Sequence, residues 1–386
     1  MAPGRRIRIL IVDDSAVMRS LLRSVVCSDV GLEVAGTAGD GESALSAIES
    51  LRPDLVLLDV EMPVMDGVVT LRKLRMRGQK MPVIMCSSLT QRGAKVTIEA
   101  LASGASDYVA KPTGQSGREQ AMKSLMQDLL PKIHALTAQT PVAAPVSSIF
   151  SGGPAPQGTT RPSIFMPAVQ PPHKPQPVTG NPSVLVIGVS TGGPAALDVM
   201  LPLLPATFPL PVMIVQHMPE LFTKLFAERL NGRCHLMVRE AAEGDPVKPG
   251  TIYIAKGNWH MEVLAPSRIG MPATLHLNQG PLENHCRPAV DVLFRTAAAV
   301  WGSGVLGVVL TGMGSDGTVG SRMIREQGGT VLAQDQASSA VWGMPGAVTN
   351  AGLAHRVLAL NAMAPEILRL ASRTQSEARE LRESVV

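Results

Sequence analysis

The chain has 386 residues, of which 45% are hydrophobic and 17% charged, with a formal net charge of +4. That length allows two or three domains with sizeable cores, and the composition argues against a fully disordered chain. Basic residues are scattered and aromatics are only 3%, so there is neither a phosphate-binding stripe nor a stacking platform, and nucleic acid is not expected as a partner.

No segment approaches the roughly 20 apolar residues of a membrane helix. The apolar run at 7–12 is interrupted by Arg8 and stops at Asp13-Asp14, too short for a secretory signal. A soluble, cytoplasmic protein without direct membrane insertion is expected. Cys27, Cys86, Cys234 and Cys286 lie far apart and form no Cys-x-x-Cys. Cys234-His235 and His285-Cys286 could meet around a metal, but reduced thiols in a cytosolic core are the simpler reading.

Residues 1–136 alternate short β-branched runs, at 7–12, 32–38, 55–59, 83–86 and 107–109, with helical stripes such as Val17, Leu21, Leu22 and Val25. Such alternation predicts right-handed βαβ units and one doubly wound, five-stranded parallel sheet. Asp13 and Asp14 then end the first strand, Asp59 the third, Ser87 follows the fourth and Lys111 the fifth. Strand C-termini of an open parallel sheet line the ligand crevice. Three carboxylates there repel one another, so a cation is expected, and oxygen-only ligands point to Mg²⁺. A lysine and a hydroxyl around them suit an acyl phosphate on Asp59. The alternative is that these acids are solvated or cap the following helices.

The run Val12-Asp13-Asp14-Ser15, the stretch from Leu57 to Gly67 and Lys111-Pro112 resemble the receiver domains of two-component response regulators, which are flavodoxin-like. The resemblance implies phosphorylation of Asp59 by a sensor histidine kinase of the chemotaxis type. It implies Mg²⁺ held by Asp13, Asp14, Asp59 and the backbone carbonyl of Glu61. It also implies a switch made of Ser87, Tyr108 and Lys111.

Residues 137–182 hold 11 of the 31 prolines and two charged residues, Arg161 and Lys174. They read as a semi-extended linker with a polyproline bias. Ser-Ile-Phe occurs there twice, at 148–150 and 163–165, as chance, a weak docking point or a partner motif.

Residues 183–372 predict a second doubly wound, mostly parallel α/β domain. Strands are expected at 184–187, 212–215, 251–255, 305–311 and 330–333, and helices at about 195–203, 221–231, 289–301 and 318–327. A charged, fraying tail is expected over 373–386. The first strand runs into Gly188-x-Ser190-x-Gly192, the pattern by which a hydrolase exposes a nucleophilic serine on a tight strand-to-helix turn. Serine needs a base, and His217, just past the second strand, comes to the same sheet edge. Asp316 follows the apolar strand at 305–311 and is placed to orient the imidazole. Backbone amides near Thr191 and Met313 suit an oxyanion hole. The order Ser–His–Asp is not that of α/β-hydrolases. A competing reading takes Gly312-x-Gly314-x-x-Gly317 with Asp335 as a dinucleotide fingerprint. Against it, Asp316 inside the turn would repel a pyrophosphate.

Residues 183–365 resemble the catalytic domain of the CheB methylesterase family through Gly188–Pro194, Gln216-His217-Met218-Pro219, Arg287–Phe294, Leu310–Gly317 and Gly343-Met344-Pro345. This resemblance implies Ser190, His217 and Asp316 as the triad and no cofactor in the catalytic domain. It also implies hydrolysis of glutamate methyl esters, with deamidation of glutamines, on methyl-accepting chemoreceptors. A monomer is expected. The rival from another class is a phosphorylation-controlled binding module with a vestigial site.

Overall fold

The computed structural model describes residues 5–112, 117–138 and 181–383, without the side chains of residue 118 and of those beyond 372. Both Ser-Ile-Phe copies and nearly all of the expected linker lie outside these residues.

The first sheet contains β1 (Ile7–Val12), β2 (Leu32–Ala38), β3 (Leu55–Asp59), β4 (Val83–Ser87) and β5 (Asp107–Ala110). They are all parallel, in the order β2-β1-β3-β4-β5. Helices α1 (Ala16–Cys27), α2 (Gly41–Leu51), α3 (Gly67–Met76), α4 (Gln91–Ala102) and α5 (Arg118–Thr137) cover its faces. Every residue of β3 and of β4 is buried, as expected for strands covered on both sides. Strand order reverses between β1 and β3, so the crevice at this switch point opens where Asp13, Asp14 and Asp59 emerge.

The second sheet has seven parallel strands in the order β14-β13-β12-β6-β7-β9-β8. They are β6 (Val184–Val189), β7 (Val212–Gln216), β8 (Met237–Glu240), β9 (Thr251–Ile254), β12 (Val305–Val309), β13 (Thr330–Gln334) and β14 (Arg356–Leu358). An antiparallel hairpin, β10 (His260–Leu264) with β11 (Thr274–Asn278), lies outside it. The helices are α6 (Gly193–Met200), α7 (Glu220–Asn231), α8 (Val290–Trp301), α9 (Thr318–Glu326), α10 (Met344–Asn350) and α11 (Leu360–Glu383). Here the switch point falls between β6 and β12, whose C-terminal ends carry Ser190 and the loop to Asp316.

Among the differences from the sequence reading are two boundaries. The strand expected to run to 311 stops at Val309, because Thr311 turns away and accepts the Ser190 N–H on its carbonyl. The tail expected to fray from 373 continues α11 as far as Glu383; its Glu, Arg, Ala and Leu are strong helix formers.

The two α/β units share apolar packing. Helix α4 lies against α6 and α7, and Ile98, Leu101 and Tyr108 belong to the same buried cluster as Phe222 and Phe226. Val341, in the loop after β13, packs with receiver-side Cys86 and Val109.

Candidate functional site

The first constellation sits on β1, β3 and the loop after β5. Asp13 and Asp59 are buried and Asp14 exposed. One carboxylate oxygen of each comes within 4.8 Å of the others, the one cluster of this kind among the described residues. Cys27, Cys86, Cys234 and Cys286 all carry free thiols. Lys111 Nζ lies 2.7 Å from Asp13 Oδ2 and 2.7 Å from Asp59 Oδ2, and its backbone N–H donates to Ser87 O. Burial lifts the Asp59 carboxyl to about 6, Lys111 opposes the shift and Asp13 adds to it. Burial would lower the Lys111 pKa, but the two ion pairs raise it. A set of three hard oxygen ligands beside a buried lysine fits a small divalent cation and an anionic group sharing the site. Ser87 accepts from the Thr97 hydroxyl at 2.6 Å. Tyr108 is turned away from this cluster: its ring stacks on Phe222 with centroids 4.7 Å apart.

The second constellation is assembled at the β6–β12 switch point. Ser190 leaves β6, its N–H donates to Thr311 O, and Gly192 adopts φ +78° so that α6 can start. The facing loop approaches so closely that a Cβ on Gly312 would meet Ser190 Cβ at 2.9 Å and Met344 Sδ at 2.4 Å. Only glycine permits that approach. His217 follows β7, and its Nε2 lies 2.8 Å from Asp316 Oδ2. An ionised carboxylate only accepts, so Nε2 carries the hydrogen and Nδ1 is the basic nitrogen.

Asp316 is held by many donors. Oδ2 also accepts the Val290 N–H, and Oδ1 accepts from Asp291 N–H, Gly317 N–H and Asn284 Nδ2. Val290 and Asp291 open α8, so its N-terminus points at this carboxylate. Burial would raise the Asp316 pKa, but His217 and these amides bring it below the ordinary value. Burial disfavours the His217 imidazolium, yet Asp316 and Cys286 together lift its pKa to about 9.

His217 Nδ1 makes its contact on the side of the 283–286 loop. It lies 3.6 Å from Cys286 Sγ, and among the described residues the Ser190 hydroxyl makes no hydrogen bond to the imidazole. Beyond this nitrogen a cleft of about 420 Å³ is lined by Met218, Pro219, Asn258, Cys286 and Arg287. Thr191 is buried; its hydroxyl donates to Asp107 Oδ2 of β5 at 2.7 Å, across the boundary between the two units. Met313 lies partly exposed on the facing loop.

The dinucleotide reading finds its seat taken. Asp316 accepts the amides at the start of α8 and of the Gly317 turn, and Asp335 caps a local turn by accepting the Ser338 N–H. Sequence reasoning missed Asn284, Asp291 and Asp107. Nothing in their local sequence signals contacts made 25 to 84 residues away.

Comparison with known proteins identifies the family of each unit. Residues 185–367 match the CheB methylesterase family and residues 9–123 the response regulator receiver domain. A protein from Nocardioides sp. named protein-glutamate methylesterase/protein-glutamine glutaminase is 48% identical over 96% of both chains. One of the same name from Trichodesmium erythraeum is 45% identical over 94% of this chain and 99% of its own. Among solved structures, the Thermotoga maritima CheB methylesterase catalytic domain is 41% identical, with a TM-score of 0.47, covering 49% of this chain and 98% of its own. No helix among the described residues is long and apolar enough to cross a membrane. By identity along nearly its whole length, the chain belongs to the CheB family of protein-glutamate methylesterases/protein-glutamine glutaminases, a receiver domain joined to a methylesterase domain.

Proposed function

We propose that this chain removes methyl groups from glutamate γ-methyl esters of chemoreceptors and deamidates receptor glutamines, with Ser190 as nucleophile and the receiver as its control. The observation that carries the reading is the buried His217–Asp316 pair at the strand ends beside the Ser190 turn.

In the reaction, His217 Nδ1 takes the hydroxyl proton as Ser190 Oγ attacks the ester carbonyl. The amides of Thr191 and Met313 receive the oxyanion, and the ionised Asp316 stabilises the imidazolium. Collapse of the intermediate returns that proton to the leaving methoxide, giving methanol and an acyl-serine. Water activated by the same nitrogen releases the glutamate. With a glutamine, ammonia leaves instead. Attack requires Nδ1 to exchange Cys286 for the serine hydroxyl, so the arrangement seen is a resting one.

The receiver would hold that resting state. Asp107 grips the residue after the nucleophile, and Tyr108 stacks on α7 behind His217. A histidine kinase would phosphorylate Asp59, with Mg²⁺ held by Asp13, Asp14, Asp59 and the carbonyl of Glu61. The ion supplies positive charge to the phosphoryl oxygens. Lys111 would move from the carboxylates to the phosphate, and Ser87 would follow. Rearrangement of β5 then loosens Asp107 and Tyr108 from the catalytic unit.

The test is methanol release from methylated receptor membranes, with and without a phosphodonor, comparing wild type with Ser190→Ala. Release that vanishes in the variant supports both substrate and nucleophile. No release from phosphorylated wild type would favour a binding module with a vestigial site.

A further inference from the structure

Between β11 and α8 the chain makes a tight turn at residues 283–286. Glu283 and Cys286 exchange both backbone hydrogen bonds, at 3.1 and 2.9 Å. Asn284 and His285 between them have φ of 52° and 63°. Positive φ is costly for a residue other than glycine, and asparagine tolerates it better than most. Arg295 fixes the turn from α8 with two bonds to Glu283, at 2.8 and 3.0 Å.

The turn aims one amide at two acids. Asn284 Nδ2 donates to Asp291 Oδ2 at 2.8 Å and to Asp316 Oδ1 at 2.9 Å. Those are both hydrogens of the amide. The two carboxylates are 1% and 2% exposed, so they cannot both ionise cheaply without donors between them. Asp291 also accepts the Gly320 N–H on its other oxygen. Nothing in the proposed chemistry uses Asp291, yet it stands beside the acid that does.

We propose that Asn284 is a positioning residue for the Asp316–His217 pair: its amide stands between two buried carboxylates, donating one hydrogen to each, and lets Asp316 keep the charge that orients His217. The inference rests on the Ser190–His217–Asp316 reading. It agrees with the opposite displacements of the two acids, Asp291 raised chiefly by burial and Asp316 lowered by its donors despite burial. The other titratable and charged groups around the pair are His217 and Cys286 on one side and Glu283 with Arg295 on the other. Without the amide, a proton moving between Asp291 and Asp316 would cancel the charge that supports the imidazolium for part of the time.

The experiment uses full-length, phosphorylated protein and reads kcat and KM for methanol release against pH, together with thermal midpoints. Asn284→Ala is expected to lower kcat about 10- to 100-fold near neutrality. KM should stay within about twofold and the acid limb, which follows His217, should move to lower pH as Asp316 loses charge. Adding Asp291→Asn, which keeps an acceptor for Gly320, removes the competing acid and should restore most of the lost kcat and the wild-type limb. A residue that merely stabilised the fold would lower the midpoint and leave the profile in place. The inference is overturned if Asn284→Ala keeps the wild-type profile, or if the double variant is no faster than the single. Should Asn284→Ala fold poorly, Asn284→Gly relieves the positive φ and carries the same expectations. Ser190→Ala, assayed alongside, separates this outcome from failure of the triad itself: activity surviving there removes the triad reading, whatever Asn284 does.

Discussion

The same device is built twice in this chain with opposite surroundings. In both sheets, acids emerge from strand C-termini at a switch point, between β1 and β3 in one and between β6 and β12 in the other. Asp59 meets one lysine and a like-charged neighbour, and its pKa is pushed up to about 6. Asp316 meets four N–H donors and an imidazole, and its pKa falls below the ordinary range. An under-satisfied carboxylate is poised to accept a new partner, whether cation or phosphoryl group. A saturated carboxylate holds its charge, which suits the orienting role proposed for Asp316. The protein chemistry around the acid, and not its place in the fold, separates the two roles.

The widest test of that contrast is at the catalytic end. Ser190→Ala is expected to lower methanol release by about 10⁴-fold or more, and Asp316→Asn by about 10⁴-fold because the isostere favours the wrong imidazole tautomer. Asp59→Asn should leave basal release intact while removing all stimulation by a phosphodonor. Equal losses from Asp316→Asn and Asp59→Asn in basal rate would erase the distinction between the two acids.

His217 sharpens it through pH. The proposed base works only when neutral, and its pKa is raised to about 9 by Asp316 and Cys286. At pH 7 only about one molecule in a hundred then has the base free. Basal kcat/KM should rise about tenfold per pH unit below 9 and flatten above it. Phosphorylation, by letting Ser190 replace Cys286 at Nδ1, should move that limb down. A basal limb near the ordinary histidine value of about 6.5 would mean that the resting enzyme does not hold the imidazolium.

A smaller effect is expected where the two regions touch. Asp107→Ala removes the acceptor of the Thr191 hydroxyl. Loss of one buried hydrogen bond corresponds to about a several-fold change, so unphosphorylated release should rise by that factor and respond less to a phosphodonor. Basal release equal to wild type would place the control elsewhere on the α4–α7 contact.

The five receiver strands and both sets of strand-end residues were legible because doubly covered parallel strands read as unbroken apolar runs, and Asp59, Ser190 and Asp316 stand at or just past the ends of such runs. The short edge strands β8 and β14 were not, since their three or four residues are only partly buried. The β10–β11 hairpin was hidden by the proline- and glycine-bearing loop between its arms. Asn284, and the contact of Cys286 with His217, escaped notice for a different reason. Their turn carries no glycine despite two positive φ values, and their targets lie 32 and 69 residues away in sequence. Thr191 was read as an oxyanion donor through its backbone, while its side chain serves the boundary between the two units.

The smallest expected effect concerns stability and comes from the strain at Asp59. Its folded pKa of about 6 is above the unfolded value of about 3.8. The folded state therefore binds the proton more tightly, and the stability linked to this group is complete below about pH 4 and is lost as pH rises through about 6. At pH 7.5 the buried charge opposes folding. Asp59→Asn removes it while Lys111 keeps its partner Asp13. Because the variant also gives up one of the two Lys111 ion pairs, the gain is about 1 kcal/mol. The unfolding midpoint of Asp59→Asn should therefore exceed wild type by about 2–4 °C at pH 7.5, and the two should converge near pH 4. A cation bound by the three carboxylates would screen the same repulsion, so added Mg²⁺ should shrink the difference at pH 7.5. A difference unchanged by pH and by Mg²⁺ would show that the variant acts through packing and not through the charge on Asp59.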